Sequence, residues 1–153
     1  MTVETRRSGL VDSSRSDRSR SLDAIHYLEK IASSPGTGRL DEWRTELSDA
    51  LGRLASQFRN QYATSAGEDS LLGSVVAEAP HLASRVETLR NRQLRLLERI
   101  EGLSGYLADS SRPVDVAGLR GEVRDLVNEA QALRTEESDL VYEALYVDLG
   151  VGD

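Results

Sequence analysis

The chain predicts an all-α fold, with four long amphipathic helices folded as an antiparallel, up-down-up-down bundle. Three observations predict it. Apolar residues recur at alternating intervals of three and four along four long stretches, the spacing of one helical face. Clusters of Pro, Gly and Ser separate those stretches. No stretch alternates apolar with polar residues at the two-residue period of a strand.

Residues 1 to 20 come first and lack apolar periodicity. They are rich in Ser and in Arg (Arg6, Arg7, Arg15, Arg18, Arg20), with Glu4, Asp12 and Asp17 diluting the charge. The expectation is a disordered, solvated tail, so the domain plan reads tail 1–20 and bundle 21–150. The first helix is expected from near Arg18 to Ser33, burying Leu22, Ile25, Leu28 and Ala32. Pro35-Gly36-Thr37-Gly38 ends it.

The second helix follows from about Arg39 to Ser65. Leu40, Trp43, Leu47, Leu51, Leu54, Phe58 and Gln61 mark its inner face, and Gly67 supplies the stop. Residues Ser70 to Ala79 predict a short connecting helix with Leu71, Leu72, Val75 and Val76 on one side. Pro80 then opens the third helix, since its fixed φ and missing donor suit the first helical position.

The third helix has the clearest seam: Leu82, Val86, Leu89, Gln93, Leu96, Ile100, Leu103 and Leu107. Its expected length is ~43 Å at ~1.5 Å per residue. Ser110 to Pro113 break it. Asp115 is placed to cap the fourth helix, which is expected to reach about Leu149 before Gly150. Val116, Leu119, Val123, Leu126, Ala130, Leu133, Glu137, Leu140, Ala144 and Val147 form the fourth seam.

Composition narrows the function classes. The 153 residues suffice for one domain with a single core, and 39% hydrophobic with 29% charged residues suits an amphipathic helical protein. A net charge of −7 argues against nucleic acid as a partner, because phosphate backbones need clustered cations. No apolar run reaches membrane-spanning length, and the absence of cysteine removes disulfides, thiolate metal sites and thiol nucleophiles. The expected location is a reducing cytoplasm. Lys30 is the single lysine, an arginine bias that fits a GC-rich bacterial genome.

Polar residues interrupt the seams. Gln61, Gln93 and Glu137 each stand where the period asks for an apolar side chain, and His26 borders the first stripe beside Ile25. These four could share one interior layer. An unpaired buried amide costs ~1–3 kcal/mol and a lone carboxylate more, so such groups tend to find one another. Read functionally, the layer is a metal or small-ligand pocket; read structurally, a hydrogen-bonded layer that fixes helix register, which is the favoured reading. Beyond the layer, His26 and Glu29 read as a surface i,i+3 pair, and the acidic set Glu136, Glu137, Asp139 and Glu143, which has no calcium-loop spacing, as a solvated helix face. Tyr62, Tyr106, Tyr142 and Tyr146 read as core edges with wet hydroxyls. No phosphate loop or nucleophile elbow is present.

With these residues in view, the chain resembles the hemerythrin-like (HHE cation-binding) family of four-helix bundles. The closing stretch from Glu137 to Gly150, the run from Ala77 to Leu97, and the segment Gly38 to Trp43 carry the resemblance. Family members hold a non-haem di-iron centre through histidines on all four helices and bridging carboxylates. Aligned residue by residue, the resemblance keeps only His26. It puts Gln57 and Gln61 at the second-helix His and Glu positions, Gln93 at the third-helix His and Leu133 at the fourth-helix His; Glu137 and Asp139 fall near the last ligand position without matching it.

The resemblance therefore implies a degenerate member without catalysis, cofactor or metal: a binding or regulatory module that meets another protein through a helix face, as monomer or homodimer. Two alternatives remain from the sequence. One is a metal- or oxygen-responsive protein with a remodelled iron site around His26 and Glu137. The other is a dimeric helical scaffold, recognisable by a long uncovered apolar stripe.

Overall fold

The computed structural model describes residues 3–34, 39–65, 67 and 70–147. Those residues are helical, with no strand among them. Five α-helices follow in order: α1 (Val3–Ser33), α2 (Leu40–Ser65), α3 (Leu71–Glu78), α4 (Ala83–Ala108) and α5 (Val116–Tyr142). A 3₁₀ turn, Pro80–Leu82, leads into α4, and a π-helical turn, Glu143–Val147, continues α5. None of the described helices is long and apolar enough to cross a membrane.

Most of the seam residues read from sequence are buried, but Leu40, expected on the inner face of α2, is exposed at the first residue of that helix, and Leu22, Leu103 and Val116 are only half-buried. Ile25, Leu28, Leu47, Leu51, Leu72, Ile100, Leu140 and Ala144 are fully enclosed, and Leu54, Val86, Leu89, Leu96 and Leu126 nearly so. Burying one such side chain is worth ~1.5–3 kcal/mol, which makes this core the main source of stability. Helices α2 and α4 pack most extensively, followed by α1 with α2 and α4 with α5. The α2–α4 approach is close because small residues meet there: Ser48 and Ser104 each donate a hydroxyl to the other's carbonyl at 3.0 Å. Helix α3 touches every long helix and closes one end of the stack.

Element boundaries differ from expectation in three places. Helix α1 begins at Val3, so helical backbone runs through the stretch read as a tail. Arg is a good helix former, so helical backbone does not require an apolar stripe. Pro80 occupies the first position of the 3₁₀ turn rather than of α4 itself. Asp115 stands at the cap position of α5 but makes no capping bond. Its carboxylate lies instead against Gly118, where a Cβ would sit 2.7 Å from Oδ2. The expected Pro35–Gly38 turn and the Gly150 stop lie outside the described residues.

One end of the molecule is tied by side chains that serve helix termini. The last carbonyls of any helix lack intrahelical donors. Arg44, the fifth residue of α2, is buried and donates Nε to the carbonyl of Leu107 (2.8 Å) and Nη1 to that of Arg112 (2.6 Å). Its Nη2 reaches the carbonyls of Tyr106 and Asp109. Arg120, the fifth residue of α5, treats α1 likewise, donating Nε to Ala32 and Nη2 to Ser34, both at 2.8 Å. A guanidinium at a helix C-terminus also meets the negative end of that helix's dipole. Trp43 completes the group: its indole N–H donates to the Ile31 carbonyl at 2.9 Å, and the Arg120 guanidinium lies 5.9 Å from its ring centroid. In the α4–α5 connection, the Ser111 hydroxyl and amide hold the Asp109 carboxyl below its usual range.

Candidate functional site

The polar seam residues define the candidate site, and the structure disperses them. Gln61, near the end of α2, is half-buried and accepts a 2.7 Å hydrogen bond from the Ser21 hydroxyl of α1. Gln93, in mid-α4, is 3% exposed, and no hydrogen bond to its amide is present among the described residues. Glu137, in the last turns of α5, is 7% exposed. Gln93 and Glu137 thus lie in the interior as the sequence predicts, with Gln61 at its edge.

The other two do not. His26 is exposed, because one residue beyond Ile25 is a rotation of ~100°, enough to carry it off the buried stripe. Gln57 lies on the outer groove between α2 and α4, with Ser48, Asp49, Ser56, Asn60 and Ser104 for neighbours, a polar hollow of about 900 Å³. A layer joining His26, Gln57, Gln61, Gln93 and Glu137 therefore does not form. His81 is also exposed.

Tyr62, read from sequence as a core edge, packs half-buried against the core. It follows Gln61 on α2, stacks on Phe58 with ring centroids 5.5 Å apart, and faces the acids of α5. Burial is the first cause that pushes its phenol well above the ordinary tyrosine range, followed by the negative charges of Glu137 and Glu129. The phenol is thus held protonated beside two carboxylates, one of which, Glu129, is bound at 2.9 Å by Arg92 of α4. What the sequence did not show is its nearness to Glu137 and Glu129, which are more than sixty residues away in the chain.

Around this interior the remaining acids are engaged at the surface. Arg85, near the start of α4, binds Glu143 at 2.7 Å and Glu136 at 3.3 Å, drawing the π turn onto α4. Asp139 and Tyr142 are exposed, while Tyr106 donates to the Pro113 carbonyl at 2.7 Å. Tyr106 also borders an open groove of about 800 Å³ between α4 and α5, with Leu103, Val114, Leu119 and Leu126 for its apolar part and Arg99 and Glu122 at the rim. The side chain of Tyr146 lies outside the described residues.

The donor set can be tested against the di-iron centre that the resemblance implies. Two irons need several imidazoles and carboxylates converging on one point. The interior offers one carboxylate, Glu137, with the Gln93 amide, a protonated phenol and Leu133, which is buried at the fourth-helix ligand position. His26 and Glu137 are separated by exposure and burial. No group of three or more His, Asp or Glu among the described residues could hold a metal ion. These residues do not fit a di-iron group.

What the interior can do chemically is hydrogen-bond and carry charge. In comparisons with known proteins, no family model, no curated protein and no solved structure matches this chain.

Proposed function

We propose that the chain is an antiparallel, up-down-up-down four-helix bundle of hemerythrin-like type that has lost its di-iron site and acts as a non-catalytic binding or regulatory module. The observation that carries this reading is the interior donor set. Among the described residues the interior holds aliphatics, the Gln93 amide, a protonated, half-buried phenol and one buried carboxylate, Glu137, and the histidine kept by the resemblance, His26, faces solvent. Glutamine keeps the polarity of glutamate without the charge that would neutralise a metal.

The topology rests on which residues meet. Ile31 and Ser21 of α1 contact Trp43 and Gln61 of α2. Ser48 and Arg59 of α2 pair with Ser104 and Glu101 of α4. Arg85 and Arg92 of α4 pair with Glu136 and Glu129 of α5. Each advance along one helix meets a retreat along its neighbour. A chain without cysteine accords with the cytoplasm. Among the described residues the exposed large apolar side chains, Tyr27, Leu40, Leu94 and Tyr142, fall one on each long helix. That scatter favours a monomer over a scaffold that dimerises through a long apolar stripe.

Metal analysis of protein purified without chelators tests the reading, together with its near-ultraviolet and visible spectrum. The expected result is far less than one iron per chain and no ligand-to-metal band. Stoichiometric iron that disappears in His26→Ala would overturn it in favour of a metal-responsive protein. Light scattering across concentrations should report one chain, and a concentration-dependent dimer would revive the scaffold.

A further inference from the structure

We propose that the groove between α4 and α5 binds a small zwitterionic amphipath, an α-amino acid with a large apolar side chain, its charged head held between Arg99 and Glu122. Such a ligand gives the binding module proposed above a site and a chemical class, and depends on that reading.

The ion pairs that join α4 to α5 repeat with the heptad. Arg85 meets Glu136 at 3.3 Å, and Arg92, seven residues on, meets Glu129, seven residues back, at 2.9 Å. Arg99 and Glu122 are the next members of both series. Seven residues are nearly two turns, so the third pair faces the same seam at the next level. Both residues line the open groove of about 800 Å³ described above, one on each wall. Yet this rung is open: among the described residues no ion pair or hydrogen bond joins the two side chains to each other or to any other group. Exposed, unpaired arginines are common here, and Arg95 and Arg124 show nothing more. What distinguishes Arg99 and Glu122 is that register and cavity together set opposite charges on facing walls of one hollow.

The floor of that hollow is apolar. Leu119 and Leu126 are buried, and Leu103 and Val114 half-buried. Both ends are bounded. The Arg92–Glu129 pair closes one, and the α4–α5 connection closes the other, where the Tyr106 hydroxyl donates to the Pro113 carbonyl at 2.7 Å. From the Arg99 rung to the level of Tyr106 is ~10 Å at ~1.5 Å per residue. A bounded hollow of this size suits a discrete small molecule, whereas a partner helix would have to run past both ends.

Two glycines widen it. Gly102 and Gly118 stand on opposite walls, within one turn of the charged rung. Glycine is the poorest helix former after proline, and neither position needs it for packing. A Cβ at Gly102 would meet nothing within 4 Å, and one at Gly118 only the movable Asp115 side chain. What the bare backbone provides is room beside the rung.

The charges then select the ligand. A simple carboxylate would satisfy Arg99 and be repelled by Glu122, and an amine would do the reverse. A head that carries both groups makes charge-assisted hydrogen bonds to both walls. Its apolar body lies over Leu103, Leu119 and Val114, toward Tyr106.

The test is isothermal titration of the full chain with L-phenylalanine, beside 3-phenylpropanoate and phenethylamine, which each lack one charge. Saturable binding of phenylalanine is expected, with a rise in Tm of ~3–6 °C at ten times Kd. Either single-charge analogue should bind roughly tenfold more weakly. In a series of straight-chain 2-amino acids, affinity should climb about two- to fourfold per methylene until the tail reaches the Pro113 end. Arg99→Gln and Glu122→Gln should each weaken phenylalanine roughly tenfold. Gly102→Leu should fill the groove and abolish binding while the Tm of the free protein holds or rises, which separates a blocked site from a damaged fold. Equal binding of the three phenyl compounds, or binding that survives Gly102→Leu, would overturn the site. So would the absence of both saturable heat and any shift in Tm, a result that leaves the iron-free bundle standing, because metal content decides that reading separately.

Discussion

Two regions of the molecule spend their buried polar groups on different partners. At the end where α1 and α4 finish and α2 and α5 begin, Arg44, Arg120 and Trp43 donate to backbone carbonyls. Away from that end, Gln93 and Glu137 are buried and Tyr62, Arg18 and Arg134 half-buried, in the bodies of the helices rather than beside that group of helix ends. Carbonyls at a helix end must be satisfied in any helical protein, so the first set is dictated by the fold. Side chains buried among side chains are elective. They cost desolvation and could have been aliphatic.

The largest expected effect breaks the first end. Arg44→Ala strips four backbone carbonyls of a charged donor and leaves a void beside Leu107. Stability should fall by about 3 kcal/mol, or Tm by about 6–12 °C, in thermal or urea unfolding. Arg44→Met, which restores the stem but not the fork, should recover less than half. A loss below ~1 kcal/mol for the alanine variant would mean that water replaces the guanidinium, and the contrast between the ends would collapse.

The second prediction concerns pH and the opposite end. Burial and two nearby carboxylates raise the Tyr62 phenol, whereas an unfolded tyrosine ionises near pH ~10. Above that pH the unfolded chain releases a proton that the folded chain keeps, so stability is intact below pH ~10 and falls above it. The contribution approaches ~1.4 kcal/mol per pH unit. Tyr62→Phe removes it, so the difference between wild type and variant should narrow steadily from pH 9.5 toward 11 (about one proton's worth). A constant difference would place the phenol in contact with water.

How much of this was legible follows from the range over which each interaction acts. Periodicity alone identifies Leu82, Val86, Leu89, Leu96, Ile100 and Leu107 as buried, because core seams repeat locally along one helix. It assigns Gln93 and Glu137 to the interior for the same reason. His26 and Gln57 escape the rule because each lies just beside a stripe, where a rotation of one residue decides between core and solvent. Arg44 and Arg120 could not be read at all: a charged residue in a helix reads as surface, and their acceptors lie 63 and 88 residues away in sequence. The π turn Glu143–Val147 is equally silent, since it answers to Arg85 on another helix.

A smaller effect sharpens the comparison where α1 meets α2. Ser21 is 1% exposed and gives its hydroxyl to Gln61. Ser21→Ala should cost ~1 kcal/mol, because the amide oxygen of a half-buried Gln61 is then left to find water. Adding Gln61→Leu should restore most of that loss, the mark of a pair that matters only while one partner remains. If the double variant is no better than the single, the serine is important for packing rather than for the bond.

The smallest effect, and the most discriminating, belongs to Gln93. It replaces an aliphatic in an unbroken seam, is 3% exposed, and finds no hydrogen bond among the described residues. Leucine has nearly the same volume and none of the desolvation cost, so Gln93→Leu should leave stability unchanged or raise it by up to ~1 kcal/mol. A drop of several degrees in Tm would reverse the argument, since an apolar side chain can do harm there only if the amide was satisfying a buried partner. That partner would have to be something the bare chain lacks, and repeating the melt after exhaustive dialysis would identify it: a ligand leaves and the wild type falls to the level of the variant, whereas a protein group does not.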